Sequence, residues 1–167
     1  GDGGAGFDAQ WALGFPHAVR DSLGVGSPQK TDELITQLSY ANDGRAFTGV
    51  VFSDSHDTAA NGSTRLNEAV TPGNAGSVQA RQRSLLGAIM ALTTPGIPML
   101  LHGQEFMQEG AFNDWQMLDW DKTKQFSGIV LAHKHVIALR RNAHHNTAGL
   151  VGEHIDFFHR NDDDTVY

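Results

Sequence analysis

The chain contains no cysteine, which excludes a disulfide framework and any metal site built on thiolates. It also lacks a long apolar run. The stretch 97–101 is among the longest, far short of the roughly 20 residues that a membrane-spanning helix needs. The opening Gly1-Asp2-Gly3-Gly4 carries neither a basic leader nor an apolar signal core, so no membrane association is expected and the cytoplasm is the expected compartment. Basic residues are scarce: 12 Lys and Arg stand against 19 Asp and Glu, for a net charge of -7. They are scattered apart from pairs such as Arg140-Arg141, so no cationic face for phosphate backbones forms and nucleic acid is not an expected partner. The histidines are dispersed. His133 with His135, and His144-His145, lack the i, i+4 spacing with a third ligand that zinc favours, so these residues are read as solvated surface and no metal is expected.

What is present fits one ordinary globular unit: 167 residues, 40% hydrophobic and 19% charged. Residues 7–11 are a short strand candidate and 17–23 part of a helix. A helix is expected from Thr31, a good N-cap followed by Asp32 and Glu33 in the first turn, to about residue 41, ending at Asn42-Asp43-Gly44. Residues 46–52 are mostly apolar, as in a strand buried on both faces, and give way to Ser53-Asp54-Ser55-His56-Asp57. A loop over 58–76 leads to a helix over 77–92 with Val78, Leu85, Leu86, Ile89 and Leu92 on one face. Thr93-Thr94-Pro95-Gly96 stops it. Residues 97–101 form the next strand candidate and end in His102-Gly103-Gln104-Glu105. A final helix over 126–141 carries Phe126, Ile129, Val130, Val136 and Ile137 on one stripe. Beyond it Ile155, Phe157 and Val166 alternate as in strands opening a β-rich piece.

Strand, helix, strand, helix, with polar residues at each strand's carboxyl end, describes parallel βα units whose ligand sites lie at that edge. A closed (β/α)8 barrel takes about 250 residues, so only part of one is expected here, over 1–145, with an all-β piece beginning at 146–167. Asp54, His56 and Asp57 on one strand end, and Gln104 and Glu105 on the next, are expected to face one crevice. Carboxylates there suit acid–base or nucleophilic work on a glycosidic bond, although helix capping within the loops accounts for the same spacing. A buried, backbone-satisfied imidazole is the alternative for His56, and plain packing the alternative to sugar stacking for Trp11.

The stretch Val51-Phe52-Ser53-Asp54-Ser55-His56-Asp57, followed by Asn61-Gly62 and Arg65-Leu66, resembles the fourth sequence region of the α-amylase superfamily, glycoside hydrolase family 13, in its branching-enzyme form. Three further stretches agree in order. Gly6-Phe7-Asp8-Ala9-Gln10-Trp11 with Phe15 and His17 resembles the sixth-strand segment. Pro95-Gly96-Ile97-Pro98-Met99-Leu100 with Gly103-Gln104-Glu105-Phe106 resembles the eighth strand. Leu118-Asp119-Trp120 with Leu139-Arg140-Arg141-Asn142 resembles the helix after it. The resemblance implies an α/β fold made of strands 6 to 8 of a TIM (β/α)8 barrel with their helices, plus the start of a C-terminal all-β domain.

The resemblance also implies an enzyme acting on α-glucan or maltooligosaccharide by retaining double displacement without a cofactor, with 1,4-α-glucan branching enzyme leading. α-Amylase and maltooligosyltrehalose trehalohydrolase follow within the family. Asp57 inherits the role of transition-state stabiliser, suited to a sugar ring that gains positive charge during cleavage. His56 inherits a hydrogen bond to the same sugar, Trp11 a stacking role and Asp54 a place among the substrate-binding residues, while Gln104 and Glu105, also placed at the substrate, line and brace the subsite. The family's nucleophile and acid–base lie on the fourth and fifth strands, which nothing here matches, so the chain alone is expected to be inactive. Two readings lie outside this one: a non-catalytic carbohydrate-binding or scaffold module, and an unrelated parallel-barrel enzyme using Asp57 and Glu105.

Overall fold

The structure, a computed structural model, describes residues 5–25, 31–39 and 45–159. Three short strands, β1 (Gln10–Trp11), β2 (Gly49–Val51) and β3 (Ile97–Pro98), form one parallel sheet in that order. Gln10 pairs with Gly49, Trp11 with Val50, Val50 with Ile97 and Val51 with Pro98. Between β1 and β2 run α1 (Gly14–Ser22) and α2 (Thr31–Leu38), and between β2 and β3 run α3 (Leu66–Val70) and α4 (Val78–Thr93). After β3 come a 3-10 turn (Gln104–Phe106), α5 (Lys122–Gln125) and α6 (Ser127–Arg140). The chain is therefore an α/β protein in which helices connect neighbouring parallel strands, so the carboxyl ends of all three strands lie on one edge.

The helices form where apolar residues recur at helical spacing. Phe15, Ala18 and Val19 on α1 and Leu34 and Leu38 on α2 are buried, and with Val51, Leu66, Val70 and Ala91 they make the main core. A smaller cluster joins Ala80, Met107 and Phe126 under α6. The main core thus sits between the sheet and the α1–α4 layer, beneath the edge at which the polar strand ends gather.

Several expected elements are shorter or differently faced. Of 46–52, residues Ala46–Thr48 form a 3-10 turn and only Gly49–Val51 are strand. Gly49 follows that turn and lies close to Gly96, which has φ of +143° and where an added Cβ would sit 3.1 Å from the Gly49 carbonyl oxygen. The strands expected over 7–11 and 97–101 shrink to their paired residues, because a ladder needs a neighbour in register and only those positions have one. The loop expected over 58–76 contains the one-turn-plus helix α3. Thr31, expected as the cap of α2, is its first helical residue, and the expected stop at Asn42-Asp43-Gly44 lies outside the described residues.

The face of α4 differs most. Val78 and Leu86, expected inward, are exposed, and the buried stripe is Ala80, Ser84, Gly87, Ala88, Ala91 and Leu92. The reason is close approach. A Cβ added at Gly87 would lie 2.7 Å from Leu66 Cδ2 and 3.3 Å from the Ser53 Cβ, so α4 runs against α3 and the end of β2 at a distance that only small side chains allow. Its start is held by Ser77, whose hydroxyl accepts the Ala80 N–H at 3.1 Å.

Beyond α6, residues 151–159 form no ladder, although Ile155 and Phe157 are half-buried and their neighbours 154, 156 and 158 exposed. The expected alternation is present without a partner strand, since Phe157 packs on the α1–α4 core instead. Val166 lies outside the described residues, as do residues 1–4 of the expected opening loop. His133, expected at the surface, is buried and its Nδ1 pairs with the Ile129 carbonyl at 2.9 Å, because its place on α6 faces the core side of that helix.

Candidate active-site cleft

The site is built where β2 stops. Val51 and Phe52 are buried, and Ser53, Asp54 and Ser55 continue inward with almost no exposure before the chain turns out at His56 and Asp57. The turn is closed locally: the Thr58 hydroxyl accepts from the Ser55 N–H at 2.8 Å, the Ser55 hydroxyl accepts from the Thr58 N–H at 3.2 Å, and the Ala59 N–H reaches the Ser55 carbonyl at 3.1 Å. This reciprocal pairing is how serine and threonine stabilise a tight turn.

At the tip of that turn His56 Nε2 and Asp57 Oδ1 lie 3.3 Å apart, with side chains 54% and 68% exposed. The imidazole sits between two rings. Trp11, at the end of β1, is edge-on to it with centroids 5.8 Å apart, and Phe112, in the loop after β3, lies tilted at 5.8 Å. Trp11 also meets Phe52 edge-on at 5.0 Å. Trp11 and Asp57 both line a cleft of about 320 Å³ whose floor and walls include Pro16, Arg20, Phe52 and Ser55. Its mixture of aromatic rings, the carboxylates of Asp21 and Asp57 and small hydroxyls suits a polyhydroxylated ligand with apolar ring faces better than a purely apolar one.

Asp54 occupies a different position from the one expected. It is 1% exposed. Its Oδ1 accepts from Arg20 Nη1 at 2.7 Å and its Oδ2 from the Leu66 N–H at 2.8 Å, so both oxygens are engaged beneath the turn and turned away from any ligand in the cleft. Burial pushes its pKa up to about 6, against the opposing pull of Arg20, the Leu66 N–H, Arg65 and the Thr58 hydroxyl.

Gln104 and Glu105 stand at the matching end of β3 but do not line the Trp11–Asp57 cleft. Gln104 is buried, and its Nε2 donates to the Ser53 hydroxyl at 2.6 Å, tying the β3 loop to the end of β2. Half-buried Glu105 accepts the Gly103 N–H at 3.0 Å, closing its own turn. The single crevice expected for both strand ends is thus two arrangements: an exposed tip on β2 and a bracing turn on β3. The two loops are stitched together by Arg65 Nη1 donating to the His102 carbonyl at 2.7 Å, the Arg65 N–H to the Gly110 carbonyl at 3.0 Å, and the Phe112 N–H to the Ala59 carbonyl at 2.6 Å.

Phe112 and Arg20 were not legible as site residues. Phe112 follows Gly110-Ala111 in a polar loop without periodicity, and Arg20 reads as an ordinary basic residue in the last turn of α1. Phe112 is brought to the turn by the pairing of distant loops, and Arg20 by the packing of α1 beside the end of β2. Among the described residues no helix is long and apolar enough to cross a membrane.

Comparison with known proteins gives two findings. The chain is 31% identical over 133 residues to the 1,4-alpha-glucan branching enzyme GlgB of Synechococcus sp. (strain RCC307), a match covering 77% of this chain and 16% of that protein. Its fold is similar to the crystal structure of a mutant pullulanase from Paenibacillus barengoltzii complexed with maltotetraose, with a TM-score of 0.60, 25% identity, and coverage of 80% of this chain and 24% of the other. No protein-family model matches. The chain therefore spans less than a quarter of either relative's length.

Proposed function

The chain belongs to the α-amylase superfamily, glycoside hydrolase family 13, and on that premise we propose that it forms part of the glucan-binding cleft of an α-glucan-active glycosidase or glucanotransferase, foremost a 1,4-α-glucan branching enzyme. The observation that carries this reading is the exposed His56–Asp57 pair beside Trp11 at the carboxyl end of a parallel strand. In this reading the three strands are the sixth to eighth of a (β/α)8 barrel over residues 1–145, and 146–167 open a C-terminal β domain.

Asp57 is the group for which the geometry supports the most direct role. Its carboxylate is free of strong protein partners and faces the cleft, so it can accept two sugar hydroxyls and stabilise positive charge developing on the ring. The exposed edge of His56 supplies a donor or acceptor to the same sugar, and Trp11 offers its ring beside them. Asp54, Gln104 and Glu105 act from behind, bracing the two loops. The reaction is a retaining double displacement that needs no cofactor. It also needs a nucleophile and an acid–base, and these 167 residues match neither family segment, so we expect them to bind glucan without turning it over.

The test is calorimetric titration of the chain with maltotetraose, with Asp57→Ala in parallel. Millimolar or tighter binding that Asp57→Ala abolishes supports the reading, and no heat from the parent chain at millimolar sugar removes it. Release of reducing ends from amylose by the purified chain would overturn the expected lack of turnover. It would also point to hydrolysis, as in α-amylase or maltooligosyltrehalose trehalohydrolase. Sugar binding that Asp57→Ala leaves intact would favour a non-catalytic carbohydrate-binding module.

A further inference from the structure

We propose that Asp54 and Arg20 are positioning residues: together they clamp the two ends of the 53–66 loop from below and so hold His56 and Asp57 in the geometry that a sugar meets. This deepens the glucan-binding reading above and rests on it for its ligand.

The connections converge on one buried carboxylate. Arg20 reaches from α1 with Nη1 on Asp54 Oδ1 at 2.7 Å, while its Nη2 donates to the Thr64 carbonyl at 2.9 Å. Asp54 Oδ2 accepts the Leu66 N–H at 2.8 Å, at the first residue of α3. The side chain of residue 54 therefore holds residue 66, and Arg20 holds residue 64, across a loop whose outermost turn carries His56 and Asp57. Thr58 adds a longer contact of 3.4 Å from its hydroxyl to Asp54 Oδ1, linking the clamp to the turn itself. The charged groups facing Asp54 are Arg20 from α1 and Arg65 from the start of α3, and Arg65 in turn feels Glu105 from the loop after β3.

The arrangement is costly unless it does something for the loop. Both members of the Arg20–Asp54 pair are nearly inaccessible, and taking two charges out of water offsets much of their attraction, so a well-packed apolar pair would stabilise the core at least as well. What an apolar pair cannot do is fix the Thr64 carbonyl and the Leu66 N–H at the same time. An exposed dyad on a loop also gains affinity from being held in its bound geometry before the ligand arrives.

The experiment follows the His56 ring protons and the Thr58 and Ala59 amides by NMR in the full chain, together with maltotetraose affinity, for Arg20→Met, Arg20→Lys and Leu92→Ala. Leu92 is buried at the far end of α4, beside Gly96 and Arg140, and serves as a destabilised control. The expected result for Arg20→Met is averaging of the His56 ring signals out of the ring-current environment of Trp11 and Phe112, with affinity about tenfold weaker. Arg20→Lys recovers part of both, and Leu92→Ala changes neither in its folded population. Unchanged His56 and Thr58 signals in folded Arg20→Met would overturn the clamp, as would equal losses in Leu92→Ala. If the parent chain binds no maltotetraose, the sugar reading falls on that result, while the ring signals still decide whether Asp54 and Arg20 hold the turn.

Discussion

The loops that leave β2 and β3 start from the same place in the fold and use polar residues in opposite ways. After β2 the chain buries Asp54 against Arg20 of α1 and pushes His56 and Asp57 outward into solvent. After β3 it turns its amides inward: Gln104 is bound to Ser53, and Gln108 is buried, its Oε1 accepting the Asp119 N–H at 2.9 Å. The first loop therefore presents groups and the second supports them. A carboxylate that must act on a ligand needs free lone pairs in solvent, whereas Gln104 commits its amide N–H to the neighbouring strand end even though its Oε1 is left buried without a hydrogen-bond partner. Polar residues at a strand's carboxyl end mark a candidate site, but burial and partners separate the acting groups from the bracing ones.

The sharpest way to break this division is to remove the counter-charge beneath the β2 loop. Arg20→Met leaves the Asp54 carboxylate buried without its nearest cation, and the expected loss is about 3–5 kcal/mol at pH 7, read as a lower urea midpoint. The loss is expected to depend on pH with a definite sign. Asp54 in the folded chain titrates near 6, above its ordinary value of 3.8, so the folded state takes up a proton more readily than the unfolded one. Its contribution to stability is fully present below about pH 4 and fades as pH rises through about 6. Without Arg20 the carboxyl moves higher still. The deficit of the variant should then shrink between pH 7 and pH 5, and a deficit that grows on acidification would contradict the assignment.

The second loop breaks at its turn. Gly103 has φ of +91°, and a Cβ there would sit 2.5 Å from the Gln108 Cβ. Gly103→Ala is therefore strained both in its backbone and against a neighbour, with an expected cost of about 1–3 kcal/mol measured by thermal or urea unfolding. Because the β3 loop is tied to the β2 loop through Arg65 and Phe112, loosening it should also weaken maltotetraose binding, though less than Arg20→Met does.

These cases show what sequence order carries and what it leaves out. The parallel βα units were legible because apolar stretches ending in polar residues recur twice with helical periodicity between them, and the His56–Asp57 dyad was legible as a motif at one such end. The inward face of α4 was not, since large apolar residues dominate a periodicity count while the buried face is made of small residues, Ala80, Ser84, Gly87, Ala88 and Ala91, with Gly87 set against Leu66 and Ser53. Asp54 was read with its neighbours as part of the presented cluster. Its partner Arg20 lies 34 residues away, and no local pattern signals a pair made across α1 and β2. Phe112 was hidden for the same reason, since it reaches His56 only through the pairing of its N–H with the Ala59 carbonyl.

A smaller effect sharpens the role of the brace. Gln104→Ala removes the bond to the buried Ser53 hydroxyl and leaves that group without its amide donor, an expected loss of about 1–2 kcal/mol by urea unfolding. Since Gln104 does not line the cleft, maltotetraose affinity should change only as far as the loop itself loosens. A loss of affinity as deep as that of Asp57→Ala would move Gln104 from supporting the site to touching the ligand.

The smallest effect on stability is the one most informative about function. Asp57 is largely exposed, and its contact with His56 at 3.3 Å is solvent-screened, so Asp57→Ala should leave unfolding within about 0.5 kcal/mol of the parent chain. The same substitution should abolish measurable maltotetraose binding, because of the two carboxylates among the described cleft-lining residues, Asp21 and Asp57, it removes the one at the tip of the β2 turn beside His56. Asp57→Asn refines the result: it keeps the shape and two hydrogen-bonding atoms but loses the charge. If the carboxylate serves chiefly as an acceptor for sugar hydroxyls, Asn retains part of the affinity, whereas Ala does not. A chain in which Asp57→Ala unfolds easily yet still binds sugar would reverse the contrast between the two loops, making the exposed turn the structural element and the buried one the site.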